Sequence, residues 1–161
     1  MQSEGLVHQQ TIFTNALTGH IDPAQRDPDV LRRIEANFLG LCKCGLSVNR
    51  SLMLDNDNDF EACFEQYKTA LRRHLRVISV DLYVFLRNAL PDGAERDLVN
   101  QLETESDALN HRIIDFLSSI ESTKRLHPKL TVKAMSSISR ALEDHFMREN
   151  AMLFPIYRGI A

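Results

Sequence analysis

The sequence predicts an all-α chain, an antiparallel up-down-up-down four-helix bundle preceded by an N-terminal arm. Three observations predict it. Four stretches carry apolar residues at helical spacing, and helix start and stop residues separate them at short intervals. No stretch alternates apolar and polar residues as a half-buried strand would, and no repeat of 20 to 50 residues occurs. At 161 residues, 43% hydrophobic and 25% charged, the chain has the size and make-up of one ordinary domain able to bury a continuous core.

Residues 1–27 read as the arm and residues 28–161 as the bundle. The arm holds Gly5, Gly19 and Pro23 among scattered polar residues with no sustained period. A short helical piece around Thr11 to Leu17 is expected within it. Asp27-Pro28 offers an N-cap followed by proline at the first helical position, where a missing N–H costs nothing. Leu31, Ile34, Phe38, Leu41, Val48 and Leu52 then form the apolar stripe of the first helix, which runs out at Asp55-Asn56-Asp57-Asn58.

Asn58 with Glu61 resembles a capping box that opens the second helix. Its stripe is Phe60, Phe64, Tyr67, Leu71, Leu75, Ile78, Leu82, Phe85 and Leu86, and Pro91 ends it. Asp92 and Glu95 repeat the capping arrangement for a third helix that buries Leu98, Leu102, Leu109, Ile113, Phe116 and Ile120. His127-Pro128 punctuates the chain before a fourth helix with Ala134, Ile138, Leu142 and Leu153 inside.

Composition excludes several function classes. A net charge of -3 gives no basic footprint for a nucleic acid backbone. The start MQSEGLVHQQ has neither the basic residues nor the apolar run of a secretory signal, and no segment approaches the length of a membrane span, so a cytoplasmic location is expected. Cys42, Cys44 and Cys63 are odd in number and poorly spaced for disulfides, in keeping with a reducing compartment. Cys42 and Cys44 stand about 200° apart on a helix and cannot chelate one ion together.

Inward-facing polar residues are the candidates for chemistry. His145 and Glu149 are one turn apart on the stripe of Ile138, Leu142 and Met152, and both point into the core. His74, three residues from Leu71 and four from Ile78, lies on the buried stripe of the second helix. His111 falls about 200° from Leu109 and Ile113 on the solvent side of its helix. Arg72, Arg73 and Arg76 lie on and beside an outer face, suited to solvent or to an acidic partner. Ser106 lacks a base and oxyanion donors, so an enzyme built on it is not expected.

The run Leu142-Glu-Asp-His145-Phe-Met-Arg-Glu149-Asn-Ala-Met-Leu153-Phe154-Pro155 resembles the last helix of hemerythrin-like, or HHE cation-binding, domains. Leu71-Arg-Arg-His74 followed by Leu82-Tyr83 is similar to their second helix, and the likeness extends over residues 29–158. The resemblance implies a di-iron centre held between helices by histidines and carboxylates. The sequence departs from it at Ile78, where a glutamate would stand, at Ser106, where a histidine would follow Glu105, and at Asn37, the matching slot of a histidine-free first helix. His74, His145 and Glu149 remain, with Glu105 as a fourth group at the stripe edge.

Two readings stay open for these residues. Two histidines and a carboxylate with open positions suit a single iron or zinc ion, completed by Glu105 or water. Alternatively they form a buried polar cluster, one imidazole bonded to Glu149 and the other to a backbone carbonyl or water. In that case the protein works by its surface, as a regulatory module binding a protein partner. From Phe60 to Met152 the chain is also similar to the Rsd/AlgQ anti-sigma regulators, through Phe64-Glu-Gln-Tyr67, Leu82-Tyr83, Leu102 to Ser118 and Ile138 to Phe146. That resemblance implies a sigma factor of RNA polymerase as the partner.

Overall fold

The computed structural model describes residues 26–54, 57–122 and 127–160, with the side chains of 57 and 58 outside the description. Among the described residues the chain is all-helical, with four helices and no strand. Helix α1 spans Val30–Met53. Helix α2 begins as Asp57–Arg76, passes without a break into π-helical turns over Val77–Val84, and closes as Phe85–Ala89. Helix α3 spans Ala94–Ser122 and α4 spans Pro128–Gly159. Helix α1 packs against α2 and α4, and α3 packs against α4 and the second half of α2.

The helix ends follow local chemistry, with some differences from expectation. Asp27 Oδ1 accepts the Asp29 N–H at 2.8 Å in a turn ahead of the helix, but the expected cap is displaced: Asp29, not Asp27, is the N-cap, it makes no side-chain cap bond, and Pro28 lies outside the helix, which begins at Val30. The box expected at Asn58 falls inside α2, which starts at Asp57. Asp92 does not cap α3: its carboxylate takes Arg96 Nη1 at 2.7 Å, while the Gly93 carbonyl accepts the Asp97 N–H at 3.0 Å. Gly93 has φ +154°, a backbone setting side chains disfavour, which explains why glycine rather than Asp92 makes the turn. Helix α4 opens as expected, with Pro128 after an extended His127.

Pro155, read as closing the Leu-Phe-Pro run, instead lies within α4, which continues to Gly159. The lost N–H is offset by packing beyond it. Tyr157 is 1% exposed, meets Phe85 at 5.0 Å between ring centroids, and donates its hydroxyl to Asp27 O at 2.6 Å. Arg26 Nη1 donates to the carbonyls of Arg158 and Ile160, so the last residues of the arm are tied to the end of α4. The rest of the arm, including the helical piece expected at Thr11 to Leu17, lies outside the described residues.

The core is the expected one with one systematic shift. Every stripe residue expected in α1 is buried. In α2 and α3, Phe60, Leu75, Leu98 and Phe116 are only half-buried, at the rim of the core. In α4 the buried arc is centred on Leu142, Phe146, Glu149 and Leu153, which rotates it away from Met152 and Ala134. Met152 is 41% exposed, and Met135 fills the place expected for Ala134.

No described helix is long and apolar enough to cross a membrane.

Candidate functional site

The interior polar cluster is built from three helices. Helix α2 contributes His74 and Tyr83, α4 contributes His145 and Glu149, and α3 contributes Ser106 at the wall of the cavity between them. His74, Glu149 and Tyr83 are 1% to 2% exposed. The structure therefore brings together three of the four residues expected from sequence, His74, His145 and Glu149, around one cavity.

Glu105 is not part of it. Its carboxylate turns outward to Arg148 and accepts from Gln101 Nε2 at 3.1 Å. The Arg148 guanidinium, then Gln101, hold its carboxyl below the usual carboxylate range. Ser106, one residue on, takes the buried position of that turn. His111 is exposed, its Nδ1 2.7 Å from Asp107 O, and Arg72, Arg73 and Arg76 are exposed, all as expected. The three cysteines are free, with Cys42 exposed and Cys44 half-buried.

Tyr83 is the member that sequence reasoning missed, having entered only as part of the Leu82-Tyr83 pair. Its hydroxyl donates to Glu149 Oε1 at 2.6 Å in the interior. The π turns put it there. Hydrogen bonds from i to i+5 bring residues five apart nearly into line, so Tyr83 shares a face with Ile78 and both are buried. At α-helical spacing the same pair would stand about 140° apart.

The electrostatics follow from burial. His74 is pushed down to about 4, first by desolvation and further by the neighbouring His145, with Glu149 opposing. It is a neutral imidazole at pH 7. Burial, then the charge of Glu149, drives the Tyr83 phenol far upward, so it stays a donor. His145 Nε2 lies 3.1 Å from Glu149 Oε1 but lacks the alignment of a hydrogen bond. Among the described residues three buried atoms of the cluster have no hydrogen-bond partner: His74 Nδ1, His145 Nε2 and Glu149 Oε2.

The cavity is small, ≈ 10 Å³, about the space one water molecule needs. Apolar groups close the rest. Phe38 stacks on Phe146 at 4.1 Å and lies 5.5 Å from the His74 ring, filling the α1 side, where Asn37 is only half-buried. Ile78 is 3% exposed and contributes no donor. These residues do not fit a di-iron centre. The donor types suit one ion, but among the described residues no three His, Cys, Asp or Glu side chains are grouped closely enough to hold a metal as they stand.

Compared with the models of known families, with curated proteins and with solved structures, the chain matches none.

Proposed function

We propose that the chain is a cytosolic, non-enzymatic regulatory or binding module, a hemerythrin-like up-down-up-down bundle with an incomplete metal site. One observation carries this reading: among the described residues the cluster holds one carboxylate, Glu149, and one of its oxygens accepts from Tyr83 beside a cavity of ≈ 10 Å³. Ordinary ligand pockets hold about 300 to 1,000 Å³, so a space about thirtyfold smaller admits no organic substrate. Phe38, Phe146 and Ile78 occupy the interior where the resemblance would bring further metal ligands. What remains for function is the surface, with a protein as partner. A sigma factor is the candidate implied by the second resemblance.

A second reading has a specific observation in its favour. His74 Nδ1, His145 Nε2 and Glu149 Oε2 are buried polar atoms without partners around one cavity, and unpaired buried donors or acceptors cost about 1 to 3 kcal/mol each. A single iron or zinc ion held by His74, His145 and Glu149 would satisfy all three.

Elemental analysis of the full chain, expressed with added iron and zinc, separates the readings. The first expects well under about 0.1 equivalent of either metal after dialysis. About one equivalent, lost in both His74→Ala and His145→Ala, would establish the second.

A further inference from the structure

Helix α1 buries one face and presents an apolar stripe on the other. Leu39, Leu46 and Met53 are 61%, 70% and 67% exposed. They recur at every seventh residue, so they drift by only about 40° along the helix and form one nearly straight line. Ile34, Leu41 and Val48, fully or almost fully buried, lie on the opposite side. Aligned large apolar groups differ from the single exposed ones common on any protein surface.

The stripe is edged by positive charge. Lys43 and Arg50, each four residues after one of the leucines, are exposed and lie within about 60° of the stripe. Among the described residues neither side chain has an ion-pair partner. Arg32, on the same side, is held by Asp29 at 3.1 Å. Among the described residues the acids nearby lie at the margins: Glu35 at the N-terminal end of the stripe, and Glu143 of α4 facing Cys42 at its far edge.

We propose that this face of α1 docks an acidic amphipathic helix of a partner protein, with apolar side chains on Leu39, Leu46 and Met53 and carboxylates on Lys43 and Arg50. The proposal rests on the reading of the chain as a binding module and names its surface and the chemistry of its partner. A heptad line of apolar residues with flanking charge is what helix-to-helix docking uses, the charges setting partner choice. A second copy of this chain is the wrong occupant. Antiparallel pairing about Leu46 would set Lys43 against the Arg50 of the other copy, and parallel pairing would set Lys43 and Arg50 against the positions of Phe38 and Gly45, which are buried in their own bundle, leaving both cations without a carboxylate. An anionic membrane is also a poor match, since lipid-binding clusters carry about four to eight basic residues and this face has two unpaired ones.

The test uses the full chain and a labelled three-heptad peptide with Leu at the a and d positions and Glu at e and g. Its control has Lys at e and g. Fluorescence anisotropy is expected to show the Glu peptide binding at least about tenfold more tightly than the Lys peptide, with a further weakening in high salt. Leu46→Glu is expected to weaken binding at least about tenfold, and the double variant Lys43→Glu, Arg50→Glu to invert the preference toward the Lys peptide. All three positions are exposed, and circular dichroism checks that the variants fold. Equal binding of the two peptides, or binding unchanged by Leu46→Glu, would overturn the proposal. Leu46-dependent binding to phosphatidylcholine vesicles with a quarter phosphatidylserine, or Leu46-dependent dimerisation in sedimentation, would overturn it in favour of those occupants. A protein partner whose binding ignores Leu46→Glu would overturn this surface and leave the binding-module reading standing.

Discussion

The Tyr83 hydroxyl donates to Glu149 Oε1 at 2.6 Å across the interface of α2 and α4, with both residues 1% exposed. Its second oxygen has no hydrogen-bond partner among the described residues, and His145 Nε2 lies 3.1 Å from the first without the alignment of a hydrogen bond. Tyr83→Phe keeps the ring packing and deletes only the donor. It is expected to cost about 1 to 3 kcal/mol, the range for leaving a buried acceptor without its donor. Urea unfolding with an unchanged m-value would measure it. A loss under about 0.5 kcal/mol would mean that Glu149 is held by something other than Tyr83.

His74 links stability to pH. Its folded-state pKa is depressed to about 4 against 6.5 in the open chain, chiefly by burial. The unfolded state therefore binds more protons between those values. Its contribution is fully present above about pH 6.5 and is lost as pH falls toward 4, with a slope approaching about 1.4 kcal/mol per pH unit. Glu149 and His145 face the same imidazole, so the readout is the difference between the wild type and His74→Gln. The variant is expected to lose less stability from pH 7 to pH 4.5. Parallel curves would show that His74 does not stay neutral in the folded protein.

The helices were legible because their stripes and stops are both strong. Leu31 to Leu52 repeat cleanly on one face, and Pro91 and His127-Pro128 mark unmistakable breaks. His74, His145 and Glu149 were legible for the same reason, as polar residues on apolar stripes. Tyr83 was not. The segment Val77–Val84, VISVDLYV, has Ser79 and Asp81 as its polar residues, so Ile78, Leu82 and Phe85 read as an ordinary α-helical stripe, and nothing in it signals i to i+5 bonding. Glu105 was misplaced for a subtler reason: it is adjacent to Ser106, and a single step of about 100° decides which of the two faces the cavity. Met152 and Ala134 erred together, because Phe146 and Met135 pull the buried arc of α4 toward themselves.

Gly93 isolates a backbone effect from packing. Its φ of +154° lies where side chains are strained, yet a Cβ built there would meet nothing within 4 Å. Gly93→Ala should therefore cost only the backbone term, about 1 kcal/mol or somewhat more, with no cavity or clash contribution. Thermal unfolding would report it as a lowered Tm with an unchanged interior. A neutral or stabilising result would require the turn between Pro91 and Ala94 to adopt a different backbone.

The π turns offer the most stringent check on how the site is assembled. They run through Val77–Val84 and carry Ile78, Leu82 and Tyr83 into the core, while Val80 is 37% exposed and contributes least to packing. Deleting Val80 removes one residue from the wide turns and lets α-helical bonding resume across the segment. Tyr83 then stands four residues after Ile78, about 40° from it at α-helical spacing, so the missing residue and the narrower turns offset each other and the phase of α2 is nearly kept. His74 and Tyr83 should both still face Glu149, and Phe85 and Leu86 should stay in the core. The deletion is therefore expected to cost less than Tyr83→Phe, about 1 kcal/mol, and hydrogen exchange should keep its protection in α2 beyond residue 77 and in α4 around Glu149. A loss above about 3 kcal/mol, with protection gone from that half of α2, would mean that the segment cannot return to α-helical bonding and that the π turns do more than absorb one extra residue.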